Sequence, residues 1–247
     1  MRVPRIFQAV PLKVGESIRL DAQATTHVVR VLRLKQNDRI TVFNGKGGEF
    51  SGIISEISKR ESVINLLEHL SPVNESPLDI SLLQGVSRGE RMDYTLQKAV
   101  ELGVHKIFPV FTEHTAVHIN DERKGKKQSH WQGVVNSACE QSGRNLIPEV
   151  YTASSLYQCL DQFSVSDKVV GLVLNHRAAI SIADTNMEKP DRIILVAGPE
   201  GGLSESEITE LERRNYISVK MGPRVLRTET AALAAISILQ SMWGDFR

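Results

Sequence analysis

The sequence predicts an α/β protein in two parts: a small β-rich domain over residues 1–72, followed by a parallel α/β domain over residues 73–247. Residues up to 70 form mostly short strand-like runs, whereas residues from 79 onward alternate between apolar strands and helices. The polar segment 71–77 between them carries two prolines and no hydrophobic periodicity. Alternating strands and helices favour a parallel sheet, whose ligands bind at the carboxyl ends of its strands.

The composition, with 41% hydrophobic and 24% charged residues, is that of an ordinary globular protein. No apolar run approaches the roughly 20 residues of a membrane helix, and no signal-peptide pattern follows the first methionine, so we expect a cytoplasmic protein without a membrane partner. Neither the two cysteines nor the seven histidines have metal-binding spacing, so we expect no metal. The glycine fingerprints of dinucleotide-binding folds and P-loops are also absent.

Charge is distributed unevenly between the two parts. Residues 1–72 contain 11 Lys and Arg against 7 Asp and Glu, whereas the rest contains 19 against 22. A basic first domain favours a polyanionic partner, although a solvated basic face explains so small an excess equally well.

The N-terminal elements predict a small β-barrel. Alternating residues on either side of Asn44-Gly45-Lys46-Gly47-Gly48 indicate a hairpin, and residues 62–67 form another β-rich run. Residues 21–34 predict a short helix, on which Arg30 and Arg33 would share one side. A small barrel with a basic helix is a common way to hold RNA.

The C-terminal elements alternate in type. We expect strands at 79–86, 106–112, 149–152, 168–174, 192–197 and 217–221. Five helices are predicted. Two lie at 91–102 and 127–142 and are ended by Gly103 and Gly143, one begins after the Ser204 capping box, and the other two lie at 155–163 and 229–243.

Three loops follow these strands directly: 175–177, 198–202 and 222–227. The last two are rich in glycine and proline, which present backbone groups at close range and suit a pocket for a flat, polar ligand. Each alone is equally well explained as an ordinary strand-to-helix turn. Because all three meet at one edge of a parallel sheet, a binding site is favoured.

Four motifs together resemble a known family. They are Gln97–Gly103, Glu140–Arg144, Gly198–Ser204 and Gly222–Thr230, and the opening Pro4-Arg5-Ile6-Phe7 is similar as well. The sequence resembles the bacterial 16S ribosomal RNA uracil-N3 methyltransferases, the RsmE family of the SPOUT class. The resemblance implies a PUA-like RNA-binding domain, a C-terminal SPOUT domain threaded into a trefoil knot, S-adenosylmethionine bound in the knot, and a homodimer acting on 16S rRNA of the small ribosomal subunit. Asn175-His176 departs from the family's usual Leu-His-Pro type of turn.

The resemblance and the loops together give a set of expected site residues. The expected cofactor-binding residues are Leu174, Asn175, Gly198, Pro199, Glu200, Gly201, Gly202, Met221, Gly222, Pro223, Val225, Leu226, Arg227 and Thr228. Arg227, Glu229 and Glu200 are the expected catalytic residues, although Glu229 is equally well explained as a residue that caps a helix or forms an ion pair. The expected RNA-binding residues are Arg2, Arg5, Arg30, Arg33, Arg88, Arg91, Arg144 and Arg224.

Methylation at uracil N3 needs an extruded base, loss of the N3 proton and in-line attack on the sulfonium methyl group. Because no covalent nucleophile is needed, Cys139 is expected to be a buried helix residue. Two alternatives stay open: a SPOUT ribose 2′-O-methyltransferase acting on tRNA, and a non-catalytic RNA-binding protein of ribosome assembly.

Overall fold

A computed structural model describes residues 3–117, 119–185 and 187–246 of the chain. These residues form two compact units. The N-terminal unit contains the residues up to Glu75 together with Cys139–Ile147, and the C-terminal unit contains Ser76–Ala138 and the residues from Pro148 onward. No helix among the described residues is long and apolar enough to cross a membrane.

The N-terminal unit is built on a five-stranded sheet. Its strands are β1 (Arg5–Phe7), β2 (Ser17–Arg19), β3 (Arg39–Phe43), β4 (Glu49–Ile57) and β5 (Ser62–Leu70). They lie in the order β1-β3-β4-β5-β2, with β1 parallel to β3 and the other pairs antiparallel. The predicted hairpin is confirmed, with Val42 opposite Phe50 and Ile40 opposite Gly52. The strands β1 and β2, of three residues each, were not predicted from the sequence.

The helix predicted at 21–34 is wrong in its second half. Helix α1 (Ala22–Thr26) is capped by Asp21, whose carboxylate accepts a 2.8 Å hydrogen bond from the Ala24 N–H group, and a wider π-helical turn follows at His27–Val31. The run of β-branched residues here has low helix propensity. Arg33 has a left-handed backbone with φ of 53°. Arg30 and Arg33 are both exposed, but they do not share a helix face.

The C-terminal unit contains a parallel sheet, as predicted. Its strands are β6 (Asp79–Gly85), β7 (Lys106–Phe111), β8 (Glu149–Val150), β9 (Ser154–Ser155), β10 (Val169–Leu174), β11 (Arg192–Ala197) and β12 (Ile217–Val219). The order is β12-β10-β11-β6-β7-β8, and β9 also pairs with β7. The central strands β6 and β11 are buried along nearly their whole length, as is usual for parallel strands covered on both faces.

The remaining helices are α2 (Glu90–Glu101), α3 (Asp121–Ser142), α4 (Leu156–Leu160), α5 (Glu205–Arg213) and α6 (Thr228–Trp243). Gly103 and Gly143 have φ of 88° and 94°, which confirms them as helix-ending glycines. The Ser204 capping box is also confirmed, because Ser204 accepts a bond from the Glu207 N–H group and Glu207 accepts one from that of Ser204. Helix α3 begins at Asp121 rather than at residue 127, and its two acidic residues in the first turn suit the helix dipole.

Candidate active site

The candidate site lies where three neighbouring strands of the C-terminal unit end. Strand β10 ends at Leu174, β11 at Ala197 and β12 at Val219, and all three are parallel. Their carboxyl ends therefore share one edge of the sheet, and the loops that follow enclose a cavity of about 520 Å³. Such a volume falls within the range of about 300–1,000 Å³ typical of small-molecule sites.

Most of the expected cofactor-binding residues line this cavity. The exceptions are Gly222 and Pro223, which lie in the third loop but not on the cavity wall. Six further residues line the cavity that were not predicted from the sequence, namely His176, Ala197, Leu203, Val219, Lys220 and Ala231. His176 lies within the first predicted loop, and Ala197 and Leu203 flank the second, so taking each whole loop with one residue on either side would have found these three.

Backbone geometry shapes the second loop. A Cβ atom on Gly198 would lie 2.9 Å from the carbonyl carbon of Gly202, and Gly202 itself has φ of 72°. Side chains are therefore disfavoured at both positions, for steric reasons at the first and for conformational reasons at the second. The loop turns back on itself and presents main-chain groups to the cavity.

A buried hydrogen-bond cluster joins the second loop to helix α6. The Thr228 hydroxyl donates to the carbonyl oxygen of Gly198, and the Gln84 side-chain amide donates to the Thr228 hydroxyl at 3.1 Å. Gln84 lies at the end of β6 and is fully buried. The ends of β6 and β11 and the start of α6 are thus fixed together beneath the cavity.

Glu200 links the second loop to the start of α2. Its Oε1 atom accepts hydrogen bonds from the Arg88 N–H group at 3.1 Å and from the Arg91 guanidinium at 3.2 Å. Desolvation by itself would raise the pKa of Glu200, but hydrogen bonds from the backbone of Arg88 and of Glu200 itself, and the hydrogen bond and charge of Arg91, together hold the pKa below its ordinary value. A carboxylate stabilised in its ionised form is a weak proton acceptor.

Arg227 and Glu229 lie at the N-terminus of α6, on the cavity wall. Arg227 occupies the N-cap position without a side-chain capping bond, and its side chain is exposed. Glu229 is half-buried, and its Oε2 atom is shielded from solvent without a hydrogen-bond partner among the described residues. A shielded carboxylate oxygen without a donor is an acceptor that a ligand can use.

The arginines expected to bind RNA fall into two groups. Arg30, Arg33, Arg88, Arg91 and Arg224 are exposed, and Arg91 and Arg224 also line the cavity. Arg2 lies outside the described residues.

Arg5 and Arg144 are instead buried within the N-terminal unit, with side chains 7% and 5% exposed. Arg5 forms an ion pair with Glu49 and donates to the carbonyl oxygen of Arg144, and Arg144 pairs with Glu75 at 2.8 Å. Because their guanidinium groups are held inside the fold, the expectation that these two arginines bind RNA is wrong.

Cys139 is fully buried in α3, as expected, and burial raises the pKa of its thiol to about 12. A thiol with that pKa is essentially un-ionised near neutrality and is not a nucleophile. Among the described residues, no group of three His, Cys, Asp or Glu side chains could hold a metal ion.

Comparisons with known proteins agree with this architecture. Residues 74–240 match an RNA methyltransferase domain family, and residues 20–67 match an RNA methyltransferase PUA domain family. The chain is 36% identical to the ribosomal RNA small subunit methyltransferase E of Buchnera aphidicola subsp. Schizaphis graminum, covering 99% of this chain and 98% of the relative. It is 30% identical to the Bacillus subtilis protein of the same name, covering 86% and 85%.

Two solved structures have the same fold over the full length of both chains. One is the Neisseria gonorrhoeae ribosomal RNA small subunit methyltransferase E bound to S-adenosylmethionine, at 37% identity and a TM-score of 0.91. The other is a Legionella pneumophila methyltransferase in complex with the same cofactor, at 37% identity and a TM-score of 0.94. The two domains, the site at the edge of the parallel sheet and these full-length matches show that the chain belongs to the ribosomal RNA small subunit methyltransferase E family, within the SPOUT class.

Proposed function

We propose that this protein transfers the methyl group of S-adenosylmethionine to N3 of a uridine in 16S rRNA of the small ribosomal subunit. The observation that carries the proposal is the cavity at the ends of β10, β11 and β12, together with the S-adenosylmethionine-bound structures of full-length relatives. We further propose that it works in the cytoplasm as a homodimer, with residues 1–72 binding RNA and residues 73–247 binding the cofactor and catalysing the reaction.

The cavity has the chemistry that S-adenosylmethionine requires. Leu174, Val219 and Leu226 give it apolar walls suited to a flat aromatic ring, while the backbone of Gly198–Gly202 supplies polar groups at close range. We propose that all the expected cofactor-binding residues on the wall hold the cofactor, and that Gly222 and Pro223 shape the loop that carries three of them.

When bound, the cofactor supplies an electrophilic methyl group. The chain itself must accept the N3 proton and stabilise the charge that this leaves on the uracil oxygens. We assign proton transfer to Glu229, because its free carboxylate oxygen contrasts with that of Glu200, which already accepts two hydrogen bonds. We assign charge stabilisation to Arg227, which lies beside Glu229 and has its side chain exposed at the cavity.

RNA binding is assigned to the exposed arginines of each unit. Arg30 and Arg33 belong to the basic N-terminal unit, whereas Arg88, Arg91 and Arg224 belong to the C-terminal unit. Guanidinium groups bind phosphate oxygens in bidentate fashion and fix the register of RNA without reading its sequence. A match to an RNA methyltransferase PUA domain over residues 20–67 supports this role for the N-terminal unit.

The trefoil knot and the dimer are part of the same proposal. Strand β12 lies at the edge of the sheet beside β10, yet α6, which follows it, begins next to Gly198 at the end of β11. The chain therefore crosses the end of β10, a path that a knot requires. Exposed apolar residues of the C-terminal unit, among them Val225 at 77% exposure and Phe246 at 46%, offer apolar surface for a second copy.

The test is to incubate the purified protein with isotopically labelled S-adenosylmethionine and unmodified small ribosomal subunits, then digest the RNA and identify the methylated nucleoside by mass spectrometry. We expect 3-methyluridine in the 16S rRNA. A 2′-O-methylated nucleoside would indicate a ribose methyltransferase instead, and bound cofactor without any methylated product would contradict the proposed reaction.

A further inference from the structure

Glu200 connects two segments of the chain that both border the cavity. It belongs to the Gly198–Gly202 loop, and it binds the start of α2, more than 100 residues earlier in the chain. A single oxygen, Oε1, accepts both hydrogen bonds. The side chain is 25% exposed, so the contact lies at the mouth of the cavity rather than at its base.

The start of α2 is an electrostatically favourable place for a carboxylate. Its N-cap residue is Gly89, with φ of 51°, which has no side chain to accept a bond from the first N–H groups of the helix. Such N–H groups require an acceptor, and the positive end of the helix dipole favours an anion. Glu200 supplies that negative charge from another part of the chain, by binding the N–H group of Arg88 just before the helix.

Arg91 is the second partner, and it gives the contact a functional consequence. Its guanidinium lines the cavity while being held by Glu200 at 3.2 Å, and its side chain is 45% exposed. A long side chain at that exposure samples many rotamers unless it has a partner. The ion pair therefore restricts Arg91 to a position at the cavity mouth while leaving its other N–H groups available.

We propose that Glu200 is a positioning residue that anchors the Gly198–Gly202 loop and directs Arg91 toward an RNA oxyanion at the cavity mouth, and that it does not take the proton. This inference rests on the proposed methyltransferase activity. The oxyanion is either a phosphate of the RNA or a uracil oxygen that gains charge when N3 is deprotonated, because a guanidinium binds both.

Three variants test the role. Glu200→Gln keeps an acceptor oxygen for both bonds but removes the charge, Glu200→Ala removes both, and Arg91→Ala removes the directed group. Hydrogen bonds to charged groups are roughly twice as strong as neutral ones, so we expect Glu200→Ala to lower kcat/KM by about 100-fold and Glu200→Gln by only about 5-fold. Glu205→Ala is the matched control, because Glu205 is 89% exposed, pairs with Arg177 and lies off the cavity.

Combining Glu200→Ala with Arg91→Ala tests whether the two residues act together. If Glu200 acts through Arg91, the double variant loses about as much activity as the more impaired single variant, instead of the product of the two losses. If the variants raise KM for RNA and this difference from the parent protein becomes smaller at high salt, the ligand of Arg91 is a phosphate. If they instead lower kcat at saturating RNA, the ligand is a uracil oxygen. Equal losses for Glu200→Gln and Glu200→Ala would overturn the proposal and make Glu200 the proton acceptor.

Calorimetric titration with S-adenosylmethionine gives a readout that does not depend on the reaction. Loss of the loop anchor weakens cofactor affinity by about 10-fold in Glu200→Ala and by less than about 3-fold in Glu200→Gln. Identical affinities of both variants and the parent protein would rule out the anchoring role. If the parent protein binds the cofactor but methylates no uridine, the proposed function fails while the anchoring role is still decided by these affinities.

Discussion

Substitution of Gly85 tests directly whether packing beneath the Gly198–Gly202 loop determines cofactor binding. Gly85 is the last residue of β6 and is buried against the Gly198–Pro199 peptide. A Cβ atom at this position would lie 2.5 Å from Cδ of Pro199 and 2.7 Å from the carbonyl carbon of Gly198. Both distances are about 1 Å shorter than normal carbon–carbon contacts. The Gly85→Ala substitution must therefore displace either β6 or the loop.

The loop is the element expected to move, because β6 pairs with β11 on one side and β7 on the other. Inserting a methyl group into a packed site costs about 1–3 kcal/mol. If about 2 kcal/mol of strain is relieved by a loop shift that cofactor binding must reverse, the affinity falls about 30-fold. We expect this decrease in a calorimetric titration of Gly85→Ala with S-adenosylmethionine, together with a native circular-dichroism spectrum.

Gly133→Ala is the matched control for the same chemical change. Gly133 lies inside α3, and a Cβ atom there would have no neighbour within 4 Å. Alanine should stabilise the helix by about 0.5–1 kcal/mol and leave cofactor affinity unchanged. If folded Gly85→Ala bound the cofactor as tightly as the parent protein, the loop would not be fixed by its contact with β6, and the reasoning would fail.

Four further predictions concern single side chains. Glu229→Gln should bind S-adenosylmethionine but lower kcat by about 100-fold or more in single-turnover assays, because a positioned base contributes about that much; an unchanged kcat would exclude it as the base. Glu75→Ala removes the carboxylate that accepts hydrogen bonds from two backbone N–H groups and a buried guanidinium, so urea unfolding should show that the free energy of unfolding falls by about 2–4 kcal/mol. The exposed control Glu16→Ala should lower it by less than about 0.5 kcal/mol. Hydrogen bonds from two arginines lower the pKa of Glu210 from 4.5 to about 2, so the stability that its carboxylate contributes is complete above pH 4.5 and is lost as pH falls toward 2. The difference in Tm between the parent protein and Glu210→Gln should therefore shrink between pH 4.5 and pH 2. Cys139 should resist thiol reagents at pH 8 until the protein is unfolded, and rapid labelling of the native protein would contradict its burial.

Local sequence patterns were sufficient to predict most of the secondary structure and the location of the site. Gly103, Gly143 and the Ser204 capping box end or begin helices through interactions within a few residues, so their signals can be read in one dimension. The Gly198–Gly202 loop follows an apolar strand in a repeating strand–helix pattern, which implied its place at the sheet edge. The same reasoning failed at 27–34, where a π-helical turn with Val28 buried replaces the regular α-helix that was predicted.

The roles of charged residues depended on tertiary structure alone. Arg5 and Arg224 look alike in the sequence, yet Arg5 is enclosed by Glu49 and backbone carbonyl oxygens and Arg224 is exposed at the cavity. Glu200 and Glu229 were equivalent candidates until the structure showed that one accepts two hydrogen bonds and that the other has an oxygen without a donor. Local pattern in the sequence determined the parallel α/β sheet and the loops, and the resemblance of whole motifs determined the family. Partners distant in the chain set the burial and pairing of each charge, and these decide its chemistry.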